Sequence, residues 1–206
     1  MRILLGDIYH KPLTTFERLK LFVCGTLVDS FHDPAVEAAQ AMVKICAFAN
    51  RGRVSLKLGN YGLAVEDFTE VVESRGEQGD IPSMNFFRGL AYCKLHDWTM
   101  AVEDFTLNIR LTELDPEAYI RRAGAYSALQ NWQAAYEDLT TVIELDATAK
   151  VYCLRGRLSC CMRKWEDAVL DYKRSLAMDR SYIPAQLGLE QATLEVDPLP
   201  LVSLHN

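Results

Sequence analysis

The sequence predicts an all-α solenoid made of four copies of a helix-turn-helix unit, closed at each end by a further helix. Three observations predict it. The first is a recurring segment. Ala64-Val65-Glu66-Asp67-Phe68 returns letter for letter at Ala101-Val102-Glu103-Asp104-Phe105, and in weaker form at Ala135-Tyr136-Glu137-Asp138-Leu139 and Ala168-Val169-Leu170-Asp171-Tyr172. The copies start 37, 34 and 33 residues apart, the period of a two-helix unit that cannot bury its apolar face alone and must stack on its neighbours. The second is a framework that keeps step with it. Small residues stand at Gly52, Gly89, Ala123 and Gly156, and aromatics at Tyr61, Trp98, Trp132 and Trp165. The alanines are Ala64, Ala101, Ala135 and Ala168, with large apolar residues at Phe68, Phe105, Leu139 and Tyr172. The third is a charge pair at constant offset. Arg51, Arg88, Arg122 and Arg155 are each followed sixteen residues later by Asp67, Asp104, Asp138 and Asp171.

The small–aromatic–alanine–aromatic pattern has a packing reason. Antiparallel helices approach closely only where a residue without bulk faces the neighbouring backbone, with larger side chains filling the space on either side. A glycine inside a helix costs about 1 kcal/mol against alanine, so close contact must compensate at Gly52, Gly89 and Gly156. Tryptophan at Gly89 or Ala101 is expected to overpack this seam by several kcal/mol, which a melting curve would show. The Arg/Asp offset predicts a ladder of ion pairs between the first and second helix of every unit, because a guanidinium and a carboxylate pair well when partly buried. The other reading of these arginines is ligand contact.

The framework residues resemble the tetratricopeptide repeat (TPR) family, and the resemblance covers about residues 45–180. It implies a right-handed α-solenoid of about four repeats, near 45–81, 82–115, 116–148 and 149–180, in which the first helices line a concave groove that takes an extended peptide or a partner helix.

Taken in chain order, residues 1–44 fall outside the repeat as an N-terminal helical cap and the start of a long first helix. Thr14 or Thr15 would cap a helix with Phe16, Leu19, Phe22, Val23 and Leu27 on one face. A degenerate half-repeat and an interaction arm are the alternatives. Asp33-Pro34 starts a helix that reaches about Leu58, and Gly59-Asn60 breaks it. The polar run Ser74–Asp80 accounts for the longer first spacing. Asp80-Ile81-Pro82 and Asp115-Pro116 open repeats two and three, and Asp146 and Asp179 stand at similar junctions. Residues 181–196 read as a C-terminal solvating helix. The tail 197–206, with Pro198 and Pro200, cannot continue it.

Composition narrows the function classes. Half of the 206 residues are hydrophobic and 24% are charged, the balance of a folded chain. The formal net charge of -6 argues against nucleic acid, which needs clustered Lys and Arg. Six cysteines without a Cys-x-x-Cys pair, and four scattered histidines, argue against zinc and suit reduced thiols packed among helices. Adjacent Cys160 and Cys161 point about 100° apart on a helix, so one of them is expected to be accessible. The apolar run at Ile3-Leu4-Leu5 is too short for a leader or a membrane span. The cytoplasm, cytoskeletal or ciliary assemblies included, is the expected location.

No nucleotide loop, metalloprotease motif or nucleophile elbow is present. No catalytic residue, metal or cofactor is expected, and the predicted role is that of a non-catalytic scaffold or adaptor for other proteins, within a larger complex. Helical spacing nominates Arg53, Lys57, Phe86, Leu90, Lys94, Ile120, Arg121, Lys150 and Arg157 among the groove-facing residues, a mixture of apolar and basic side chains with Glu117 the one acid beside them. Acids such as Glu66, Glu103 and Glu137 fall on the second helices. The expected ligand therefore combines apolar anchors with acidic residues. Chaperone adaptors of this family hold a terminal carboxylate with Lys and Asn on the first groove helix, Asn on the second, and Lys and Arg on the third. The matching positions here are Ala49 and Arg53, then Phe87, then Glu117 and Arg121, and only Arg121 agrees. Shifted by one repeat, only Lys150 agrees. A co-chaperone of Hsp70/Hsp90 type is the disfavoured alternative. A subunit that associates with itself through apolar ends is another.

Overall fold

The computed structural model describes residues 34–75, 82–112 and 114–196. The N-terminal cap expected before Asp33, the polar loop after Arg75 and the proline-containing tail lie outside the described residues. The chain divides into two compact units, residues 1–47 and 48–206. Of the first, the described part is the beginning of a long helix, in which Ile45 is buried.

Among the described residues there are nine helices and no strand. They are α1 (Pro34–Leu58), α2 (Tyr61–Arg75), α3 (Pro82–Lys94), α4 (Trp98–Thr112), α5 (Pro116–Ala128), α6 (Trp132–Leu145), α7 (Ala149–Cys161), α8 (Trp165–Met178) and α9 (Ile183–Val196). From α2 onward each helix packs on the next, and α3 meets α5 and α7 meets α9 across the intervening helix. This is the pattern of stacked helix pairs.

Helix starts follow side-chain chemistry. Asp115 caps α5 through Oδ1, which accepts the Glu117 N–H at 3.1 Å, with Pro116 in the first turn. Asn131 caps α6 through the Ala134 N–H, and Thr148 caps α7 through the Val151 N–H. Asp146 and Asp179 lie at the expected junctions but end α6 and α8 instead of opening the next helix. At the first of these junctions two further residues intervene, and Thr148 is the one beside the free N–H groups.

The turns inside the repeats share a device. Gly59, His96, Gln130 and Arg163, each two residues before the aromatic that begins a second helix, all have positive φ, between 57° and 85°. In each, the next N–H reaches back to a first-helix carbonyl: Asn60 to Ser55, Asp97 to Tyr92, Asn131 to Tyr126 and Lys164 to Ser159. This left-handed step satisfies carbonyls that the helix end would otherwise leave bare.

The core lies between the helices of each pair and continues into the next. Ala64, Ala101, Ala135 and Ala168 are all fully buried. The glycines differ from the expectation in what they face. A Cβ at Gly52 would stand 2.8 Å from the Phe68 ring, at Gly89 2.9 Å from the Phe105 ring, and at Gly156 3.1 Å from the Tyr172 ring. They make room for the ring four residues after each alanine, more than for a neighbouring backbone. In repeat three the ring is replaced by Leu139 and the small residue grows to Ala123, and both belong to one core cluster. Gly188 on α9 repeats the device against the Tyr172 ring.

Candidate partner-binding groove

The first helices are fixed on the second by the Arg/Asp pairs, and all four form. Arg88 Nε and Nη2 donate to Asp104 at 2.9 and 2.6 Å. Arg122 does so to Asp138 at 2.9 and 2.7 Å, and Arg155 to Asp171 at 2.8 Å through both nitrogens. Arg51 grips Asp67 in the same forked way. The remaining nitrogen reaches back one repeat. Arg88 Nη1 donates to Thr69 at 3.2 Å, Arg122 to Thr106 at 3.0 Å and Arg155 to Thr140 at 3.2 Å. The guanidiniums of Arg88, Arg122 and Arg155 therefore each tie three helices together. Aromatics cover the flat faces of two of them, Tyr119 and Tyr126 for Arg122 and Tyr136 and Tyr152 for Arg155. Burial pushes the carboxyls of Asp104 and Asp138 above their ordinary range, against the pull of the guanidinium on each. The threonines were legible as Asp-x-Thr at 67–69, 104–106 and 138–140 but were not singled out in the sequence.

With the arginines committed to the ladder, other residues of the first helices are left facing outward. A recess of about 710 Å³ opens over α3, α5 and α7, with Gln191 of α9 on its edge. Ile120 and Leu154 supply apolar surface and Arg121, Lys150 and Arg157 supply charge. Cys93, Cys160 and Cys161 also line it, with the indoles of Trp98 and Trp132.

The nine nominated residues divide. Ile120, Arg121, Lys150 and Arg157 line the recess. Phe86 and Leu90 are not among its lining residues; half-buried, they pack against the repeat-two core of Ala101 and Phe105. Arg53 lies over the Phe87 ring, 5.3 Å from its centre. Lys57 and Lys94 are exposed outside the recess lining. Gln191 and Cys161 were not anticipated, because α9 reads in sequence as a cap and helix α7's last residue has no periodic cue.

The electrostatics of the recess are one-sided. Its lining contains three cations and no Asp or Glu. Arg121 is shared with Glu117 through a bond of 2.7 Å, and both side chains are about half exposed. Lys150 and Arg157 have no acidic partner among the described residues. Burial lifts the thiols of Cys93, Cys153 and Cys160. Arg121 and Lys94 act against the shift at Cys93, and Arg157 against that at Cys153. The Tyr172 hydroxyl, 3.7 Å from Cys160 Sγ, is pushed well up by burial. Cys161 is exposed, and no three His, Cys, Asp or Glu side chains among the described residues are placed to hold a metal. No helix of the described residues is long and apolar enough to cross a membrane.

A tetratricopeptide repeat family model matches residues 47–78, a span that includes the end of α1 and all of α2. Together with the stacked helix pairs that follow, the match shows the architecture of a tetratricopeptide-repeat solenoid among the described residues. No curated protein sequence matches it. Among solved structures, a crystal structure of MamA protein is similar over 74% of this chain and 82% of its own, with a TM-score of 0.68 at 18% identity. MamA from Desulfovibrio magneticus RS-1 is similar over 75% and 86%, with a TM-score of 0.68 at 19% identity. The first TPR domain of Spaghetti (RPAP3), bound to the HSP90 peptide SRMEEVD, is similar over 56% and 92%, with a TM-score of 0.53 at 23% identity. At these identities the likeness is one of fold.

Proposed function

We propose that the chain is a non-catalytic scaffold or adaptor that holds a short segment of another protein, an extended peptide or a helix, in the recess over α3, α5 and α7. On this reading it works as part of a larger complex in the cytoplasm. The observation that carries it is the recess: an apolar floor with unpaired cations, on the face that the ladder leaves free. Its volume suits a few side chains of a partner and not a folded domain. RPAP3 shows the same fold holding a peptide, which supports the mode of binding without naming the ligand.

Proximity labelling in cells, with an Arg121→Glu/Lys150→Glu/Arg157→Glu triple variant as control, tests the proposal. Partners that label with the wild type and disappear with the folded variant support the groove. An unchanged partner set rejects it. The likeness to the peptide-bound RPAP3 domain favours one second reading, a co-chaperone of Hsp70/Hsp90 type. Ala49, Phe87 and Glu117 occupy positions where a carboxylate clamp needs donors, so a pull-down with an Hsp90-type tail peptide is expected to be negative.

A further inference from the structure

We infer that the recess selects an internal acidic segment with apolar anchors, and reads it through side-chain carboxylates and not a chain terminus. The inference rests on the recess being the binding site. The chain carries a net charge of -6, yet the recess holds three cations and no acid. Charge complementarity thus favours an anionic occupant, against the sign of the whole molecule. The apolar floor of Ile120 and Leu154 requires that the anion also carry apolar side chains.

The spread of the cations decides between a terminus and a segment. A terminal carboxylate is one point and needs converging donors. Lys150 and Arg157 lie on one helix, α7, seven residues and therefore about 10 Å apart along its axis. Arg121 comes from a different helix and is already shared with Glu117, which leaves Lys150 and Arg157 as the two uncompensated charges. In an extended polyproline-like chain, acids at i and i+3 lie on one side about 9 Å apart. A segment of the form acid–apolar–apolar–acid fits that spacing. Gln191, neutral and exposed at the edge, gives α9 a part in selectivity beyond covering α8.

Cys161 makes the recess observable, because a bound segment shields it from alkylation, while exposed Cys46 on α1 serves as the internal control. The experiment uses four labelled peptides on the full chain: amide-ended Gly-Asp-Leu-Phe-Glu-Gly, its Asn/Gln analogue, its Lys analogue, and the free-carboxylate form of the first. Anisotropy measures affinity and mass spectrometry measures alkylation of each cysteine. The expected result is that the acidic peptide alone binds and shields Cys161, its two end groups differ by less than about twofold, and added salt weakens it. Lys150→Glu or Arg157→Glu lowers affinity about fivefold, the upper end for loss of an exposed ion pair. Gln191→Lys tightens it and Gln191→Glu weakens it. Arg110→Glu, on the exposed side of α4, changes nothing.

Equal binding of the neutral or basic peptide overturns the inference but leaves the groove reading standing. A free carboxylate that binds more than about tenfold tighter restores the terminal mode. Equal displacement by a single-stranded oligonucleotide, which has no aliphatic anchors, assigns the cations to a polyanion. Shielding of Cys161 by none of these peptides or by a random peptide library removes both proposals.

Discussion

Every ladder carboxylate is buried, whereas the exposure of the arginines varies: the Arg51 side chain is 56% exposed and those of Arg88, Arg122 and Arg155 are 12%, 15% and 9%. Truncating a buried partner leaves an uncompensated charge, which costs about 3–5 kcal/mol. Water can replace an exposed one. Arg122→Ala is therefore expected to destabilise by about that amount in urea unfolding, and Arg51→Ala by much less. Equal losses would refute the burial argument. Asn85 is a different kind of residue. It is fully buried, and neither side-chain amide atom has a hydrogen-bond partner. It stands four residues before Gly89, where the other repeats have Phe48, Tyr119 and Tyr152, rings that lie over the ladder arginines. An orphaned buried amide costs about 1–3 kcal/mol, so Asn85→Leu is predicted to raise the urea midpoint.

At the level of the helix pair, two features decide geometry. The first is volume matching across the seam: glycine opposite Phe68, Phe105 and Tyr172, alanine where Leu139 stands. Leu139→Phe alone is expected to overpack and lose about 1–3 kcal/mol. Adding Ala123→Gly should recover much of that loss, giving a coupling energy of about 1 kcal/mol or more in a double-mutant cycle. Additive effects would show that the two positions do not share one space. The second feature is the left-handed turn residue. Only Gly59 among the four is a glycine. The strain at His96, Gln130 and Arg163 costs about 1 kcal/mol each, and the surrounding helix ends impose it.

For the whole stack, neighbour contacts carry stability from repeat to repeat. The ladder also shows where it stops. After Asp171 the threonine position holds Lys173, and before Gly188 the arginine position holds Leu187. Both halves of the next inter-repeat link are missing together. α9 joins the stack through packing alone, with Ala185 and Ala192 buried against Ala168 and Tyr172. Deleting residues 183–206 is expected to lower the melting temperature by more than about 5 °C, because it uncovers that cluster. Hydrogen-exchange protection in α3 and α4 should persist. A cooperative loss of protection throughout would contradict nearest-neighbour coupling.

The sequence by itself determined the helical class, the period, the seam residues and the ladder pairs. These depend on residue type at fixed spacing, and spacing along a helix is geometry. The end of α1 at Gly59 and the start of α5 at Asp115-Pro116 were legible for the same reason. The groove was legible only in part. Helical periodicity says which side of a helix faces away from its partner, but not whether that side meets solvent or the next repeat. Phe86 and Leu90 lie half-buried beside the repeat-two core outside the recess, Arg53 lies over Phe87, and Gln191 enters the recess from a helix that reads as a cap. The left-handed steps at His96, Gln130 and Arg163 carry no letter that announces them. Tertiary structure decided these points, because they depend on how successive helix pairs pack together and not on any one helix.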